Sequence, residues 1–230
     1  MAELPKTKHS IIELNNSWLT FWFNRPEKRN ALSNGLIEDI RNTLLAIKED
    51  RSIRGIIFRG KGGIFCAGAD LEGLKQISSA GDEAYTNSLK MSKDFGEFFK
   101  MISKTPQFTV SVVEGAAMAG AFGIACASDL LVTMTDAKYA LTETRIGLTP
   151  AQITPYVLNR MGFAKARKML LLGSLISGKE AYEIGLADYL VNNESEINDV
   201  ISKIKKEVQK CAPNAIAITK EILSNDDLIN

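Results

Sequence analysis

Apolar and polar positions alternate in two short runs, residues 10–14 and 18–23, separated by Asn15-Asn16-Ser17. β-Branched and aromatic side chains dominate both, so they predict two antiparallel strands joined by a hairpin. A polar loop follows at residues 24–32. Leu36, Ile37, Ile40, Leu44 and Ile47 then share one face of a helix capped by Ser33 or Asn34, and the helix leads to a strand over residues 53–59. That order makes a right-handed β-α-β crossover.

The unit recurs. After a glycine-rich loop at residues 60–71 and a weakly patterned connection at residues 73–82, a helix is predicted over residues 84–104, ended by Pro106. Residues 109–113 form a β-branched run that turns at Gly115 into a helix of small residues, 119–127. Residues 129–134 supply a further crossover strand and residues 139–141 a short extended piece. From Thr154 the pattern is helical, over 154–161, 164–172, 177–184, 197–209 and 213–223, broken only at 186–191. Such units predict an α/β fold, either a spiral of β-β-α turns or a doubly wound sheet, and periodicity does not separate the two.

Composition adds boundaries. The 230 residues, 45% hydrophobic and 24% charged, can bury one substantial core. We expect one domain, with residues 1–190 as the core and residues 191–230 as a helical C-terminal region of the same domain. The 28 basic and 27 acidic residues leave a net charge of +1, which gives no electrostatic footprint for nucleic acid or an anionic membrane. Cys66, Cys126 and Cys211 are widely spaced, as suits reduced thiols in the cytoplasm or an equivalent reducing compartment. No apolar run reaches the ~18 residues of a membrane span, and the polar start lacks the apolar segment of a signal peptide. His9 is the only histidine, and no G-x-S-x-G, H-E-x-x-H or Walker loop is present, so hydrolase and NTPase readings fall. No metal motif is visible, and neither a metal nor a cofactor is expected.

Two backbone-rich loops, around Ala69 and around Gly120, each follow a parallel-type strand, where open α/β arrangements place their binding crevices. Free N–H groups there suit an oxygen acquiring negative charge, although small residues also serve tight helix packing. With no histidine-activated nucleophile, enolate chemistry is the better fit. It needs a proton carrier, and Glu143, set between apolar residues, can be one if burial raises its pKa. The competing reading is an exposed glutamate or one paired with Arg145.

The runs at residues 24–32 (NRPEKRNAL), 65–71 (FCAGADL) and 113–120 (VEGAAMAG) closely resemble the enoyl-CoA hydratase/isomerase (crotonase) superfamily, in order and over nearly the whole chain. The resemblance implies the crotonase-like spiral of β-β-α units with a C-terminal helical trimerisation region, a homotrimer or dimer of trimers, and acyl-CoA thioester substrates. It carries the two oxyanion-hole amides onto Ala69 and Gly120 and a catalytic glutamate onto Glu143. It puts the ends of the CoA moiety against Lys28, Arg29, Ala31 and Leu32 and against Cys66, Ala67, Asp70 and Leu71, largely through backbone atoms, with Arg25, Lys28 and Arg29 towards the phosphates.

One departure bears on the reaction. Typical hydratases of the family place a first glutamate three residues after the oxyanion glycine, and this chain has Gly123 there. We expect Gly123 to leave room for a branched or bulky acyl chain, Asp70 or Glu114 to be possible replacement acids, and Gln152 and Thr154 to hydrogen-bond a polar acyl group, with helix capping the simpler role for Thr154. The run 141–153 (LTETRIGLTPAQI) looks most like hydratases of 3-branched, glutaconyl-type enoyl-CoA. Hydration of a C2=C3 double bond is therefore the leading expectation. A Δ3,Δ2-isomerase with Glu143 as sole proton shuttle, a decarboxylase and a catalytically silent acyl-CoA binder are the alternatives. Family members usually continue beyond the helix at 213–223, which bears on how the acyl pocket closes.

Overall fold

The structure, a computed structural model, describes residues 3–70 and 83–224. Leu71 and the connection expected at residues 73–82 lie outside the described residues.

The chain opens with the expected hairpin, β1 (Ser10–Asn15) against β2 (Trp18–Phe23), antiparallel with Ser10 opposite Phe23. Asn16 and Ser17 both have positive φ, the backbone of a tight two-residue hairpin turn. Ser33 caps α1 (Asn34–Ile47), its hydroxyl accepting from Leu36 N–H at 3.2 Å. The helix delivers β3 (Gly55–Gly60) parallel to β2. α2 (Ala84–Lys104) leads in the same way to β4 (Phe108–Val113), and α3 (Gly120–Ala127) to β6 (Leu130–Met134).

Together with β9 (Tyr189–Val191) these strands form a six-stranded sheet in the order β1-β2-β3-β4-β6-β9, parallel beyond the opening hairpin. β5 (Ala116–Met118), β7 (Lys138–Ala140) and β8 (Ile176–Ser177) make a second, three-stranded sheet. The periodicity did not announce β5 or β8. Ala116-Ala117-Met118 has no β-branched residue, and its extended form depends on partners distant in sequence, with Ala117 opposite Tyr139. Among the described residues the further α-helices are α4 (Thr154–Met161), α5 (Phe163–Leu172), α6 (Gly178–Glu183), α7 (Glu194–Gln209) and α8 (Pro213–Leu223). This is an α/β fold of mixed sheets wrapped by helices, the spiral alternative.

Side-chain alternation along the strands divides the core in two. Phe21, Phe58 and Val113 pack with Leu36 and Ile40 of α1, Phe98, Phe99 and Ile102 of α2, and Phe122 of α3. Ile57, Val110, Val112 and Val132 face the other way, against Ile197, Ile204 and Val208 of α7. Every residue of α3 from Ala121 to Ala127 is buried, which its small side chains permit.

Candidate active site

The loops at the C-terminal ends of β2, β3 and β4 are held together chiefly by backbone groups. Asn30, fully buried at positive φ, donates through Nδ2 to the carbonyls of Lys61 at 2.9 Å and Ile64 at 2.6 Å, while its Oδ1 accepts from Arg25 N–H at 2.8 Å. Asn30 is not among the candidates that the sequence motifs single out. A polar side chain amid the turn residues after Pro26 is the signal that it ties two loops.

The segment 65–70 runs between two others. Cys66 pairs with Ala117, its N–H donating to Ala116 O at 2.9 Å and its carbonyl accepting from Met118 N–H at 3.2 Å. Leu32 pairs with Ala69: Leu32 N–H donates to Gly68 O at 2.8 Å, and Leu32 O accepts from Asp70 N–H at 3.2 Å. In this parallel pattern the flanking residues turn their groups towards Leu32, and Ala69 N–H points the other way.

Gly68 makes the approach possible. Its φ is +93°, and a Cβ there would sit 2.8 Å from Met118 O and 3.3 Å from Ala119 Cβ. The chain then passes Ala119, a non-glycine residue at φ 50° and ψ −121°, and enters α3 at Gly120. Such a conformation costs of the order of 1–3 kcal/mol and persists only where its surroundings hold it. Here Ala119 N–H donates to Ala140 O at 2.9 Å. Among the described residues neither Ala69 N–H nor Gly120 N–H has a protein acceptor. The structure thus brings two unengaged donors onto touching segments.

Glu143 follows from the same contact. Ala140 ends β7 beside Ala119, and three residues later Glu143 begins a 3-10 turn, Glu143–Ile146. The carboxyl is half-buried, and its Oε2 is out of solvent with no hydrogen-bond partner among the described residues. Burial pushes its pKa above the usual carboxylate range, against a smaller lowering by its own backbone N–H. Arg145 is not its partner, since Nε of that guanidinium donates to Leu172 O at 3.2 Å.

The second-acid position is closed. A Cβ on Gly123 would lie 2.4 Å from Ile153 Cγ2 and 2.8 Å from Phe99 Cε1. The expected room for a bulky acyl chain is therefore absent there, because two apolar side chains already fill it. Asp70 is bonded to Arg25 at 3.1 Å and Glu114 to Arg59 at 2.6 Å, so each expected replacement acid is already in an ion pair.

Other candidates fall differently. Leu32 and Cys66 are buried with their backbone N–H and C=O groups spent within the protein, and burial pushes the Cys66 thiol up to about 12. Arg25 turns inward to Ala31 O, at 2.8 Å, and to Asp70, away from any phosphate role. Lys28 and Arg29 are exposed, and Ala31 and Ala67 are half-buried. Gln152 donates to Ser92 Oγ on α2. Thr154 does not cap α4; it is the first helical residue, and its hydroxyl donates back to Pro150 O at 2.8 Å. His9 packs its ring on Gly35 of α1.

A sequence model described as enoyl-CoA hydratase/isomerase matches residues 13–227. The chain belongs to the enoyl-CoA hydratase/isomerase family. Among its relatives, a putative enoyl-CoA hydratase of Thermus thermophilus is 32% identical over 203 residues, covering 88% of this chain and 78% of that protein. The human mitochondrial enoyl-CoA hydratase domain-containing protein 2 is 33% identical over 84% of this chain, which spans 64% of the human protein. Two solved structures share the fold at 34% identity. Pseudomonas aeruginosa AtuE has a TM-score of 0.90 with 96% of this chain and 84% of its own covered. An enoyl-CoA hydratase/isomerase from Marinobacter aquaeolei has a TM-score of 0.88 with 94% and 82% covered.

Family membership supports lyase/isomerase catalysis on an acyl-CoA thioester, in which CoA enters as part of the substrate. Among the described residues no cluster of three or more His, Cys, Asp or Glu could hold a metal ion, and no helix is long and apolar enough to cross a membrane.

Proposed function

We infer that this enoyl-CoA hydratase/isomerase family member hydrates the C2=C3 double bond of a 2-enoyl-CoA thioester with Glu143 as its single acid–base group. The observation that carries the reading is the half-buried Glu143 carboxyl, its Oε2 out of solvent and without a hydrogen-bond partner among the described residues.

One carboxyl balances the reaction. Glu143 takes a proton from water as the water oxygen bonds to C3, and the π electrons move through C2 onto the thioester oxygen. Ala69 N–H and Gly120 N–H receive that enolate oxygen, each donor contributing roughly 10²–10³ in kcat. The Glu143 carboxyl then returns the proton to C2, so one water has added across the bond. A raised pKa suits a group that both takes and gives the proton near neutrality. Lys28 and Arg29, exposed on the loop after β2, and the backbone of Ala67 are assigned to CoA, whereas the N–H and C=O of Ala31 and the N–H of Asp70 are bonded within the protein. The 141–153 run supports a 3-branched or glutaconyl-type acyl group. Exposed Ile218, Ile222 and Leu223 on α8 support packing into a homotrimer or dimer of trimers.

The apolar filling by Ile153 and Phe99 favours a second reading, because it offers no polar group to hold water on that side. In that case Glu143 would carry a proton between C2 and C4 and act as a Δ3,Δ2-isomerase. Mass analysis of products from 2-enoyl- and 3-enoyl-CoA panels separates the two, a hydratase giving a product one water heavier and an isomerase one of unchanged mass. Glu143→Gln should bind acyl-CoA and turn over nothing; full turnover by that variant removes Glu143 from the mechanism.

A further inference from the structure

The Arg25–Asp70 pair has no place in the chemistry above, yet it abuts the residue assigned as an oxyanion donor. Arg25 Nη1 donates both to Ala31 O at 2.8 Å and to Asp70 Oδ2 at 3.1 Å, and Nη2 reaches the same Oδ2 at 3.2 Å. The two side chains are only 14% and 20% exposed. Arg25 is itself fixed, its N–H on Asn30 Oδ1 and its carbonyl accepting from Lys28 N–H and Asn30 N–H at 2.9 Å. Asp70 is the residue after Ala69, and its own N–H is bonded to Leu32 O.

We propose that Arg25 and Asp70 are positioning residues that set the direction of Ala69 N–H. The two peptide units from Gly68 to Asp70 are tied by backbone to Leu32, one through Gly68 O and the other through Asp70 N–H. The ion pair adds a side-chain tie from Asp70 to the same loop after β2, at Arg25. A guanidinium that bonds a carbonyl of one loop and a carboxylate of the other fixes their separation and angle, which a point-charge ammonium does not. Without it Ala69 keeps its place in the chain while its N–H loses its aim. A displaced donor weakens the enolate more than the bound thioester, so the loss falls on kcat, and misplacement on the scale of 1 Å costs about 10²-fold. The proposal rests on Ala69 N–H being an oxyanion donor.

The test combines kinetics with isotope-edited infrared spectroscopy on the full chain. Butyryl-CoA labelled with carbon-13 at the thioester carbonyl is a saturated probe that cannot react, and crotonyl-CoA serves for turnover. Bound to wild type, the carbonyl stretch should fall to lower wavenumber than in water. In Asp70→Asn and Arg25→Lys it should move back towards the free value, with kcat down by about 10²-fold and KM unchanged. The exchange Arg25→Asp/Asp70→Arg should recover part of both, and thermal unfolding shows which variants are folded. A wild-type stretch retained in full by folded Asp70→Asn and Arg25→Lys, or a loss carried by KM alone, overturns the positioning role. A wild-type protein that leaves the stretch unshifted overturns the oxyanion assignment instead.

Discussion

Glu143 is a buried acid whose surroundings favour its neutral form. The sign of the consequence is definite. A carboxyl with a raised folded pKa binds more protons folded than unfolded between its two pKa values, so stability falls as pH rises through that window. Glu143→Gln should therefore be more stable than wild type at neutral pH and lose this advantage below the unfolded carboxylate pKa, as urea titrations across pH would read. Activity should run the other way, its acid limb displaced above the ordinary carboxylate range because the ionised form must take the proton from water. Gly123 makes the opposite kind of prediction. Gly123→Ala should cost about 1–3 kcal/mol by overpacking against Ile153 and Phe99, and Ile153→Ala should offset much of that cost in the double variant. Ala119→Gly should stabilise by about 1 kcal/mol, since relief of the strained φ outweighs the added freedom of the unfolded chain. Glu143 and Gly123 stood out in the sequence because their spacing from Gly120 matches a motif. What fills the space beside Gly123 did not, because Ile153 and Phe99 lie about 30 and 24 residues away in the chain and only the tertiary packing brings them there.

At the scale of elements, strong local periodicity is readable and pairing between segments distant in sequence is not. α2 and α8 have the bounds their apolar stripes predict, whereas β5 and β8 exist only through their neighbours in the second sheet. The bridges Leu32–Ala69 and Cys66–Ala117, which shape the site, are single pairs without a sequence pattern. α8 is attached in a way that periodicity also missed. Its Lys220 is buried, with Nζ donating to Gln107 O at 2.9 Å and to Asp129 Oδ2 at 2.5 Å. Asp129 in turn accepts from Thr109 N–H and its hydroxyl, so the helix is tied to the starts of β4 and β6. Lys220→Met should cost about 3 kcal/mol by leaving the aspartate without its cation, and Lys220→Met/Asp129→Asn should recover part of that in equilibrium unfolding.

At the scale of the whole molecule, the spiral serves to stack backbone turns at one end of the parallel sheet. β3 and β4 end in the loops that carry Ala69 and Gly120, and the second sheet brings β7, and with it Glu143, alongside. In the proposed mechanism the donors are backbone groups, so their identity would be insensitive to side chains, and Gly68, Ala119 and the Arg25–Asp70 pair lie in or beside the segments that carry them. The proposed mechanism leaves the acid–base work to one carboxyl, Glu143. The most direct test is turnover of a 2-enoyl-CoA panel in oxygen-18 water by wild type and by Glu143→Gln, read by product mass. The account predicts a 3-hydroxyacyl-CoA carrying the heavy oxygen from wild type and no product from the variant. Unlabelled product of unchanged mass from wild type, or labelled product at wild-type rate from Glu143→Gln, would contradict it.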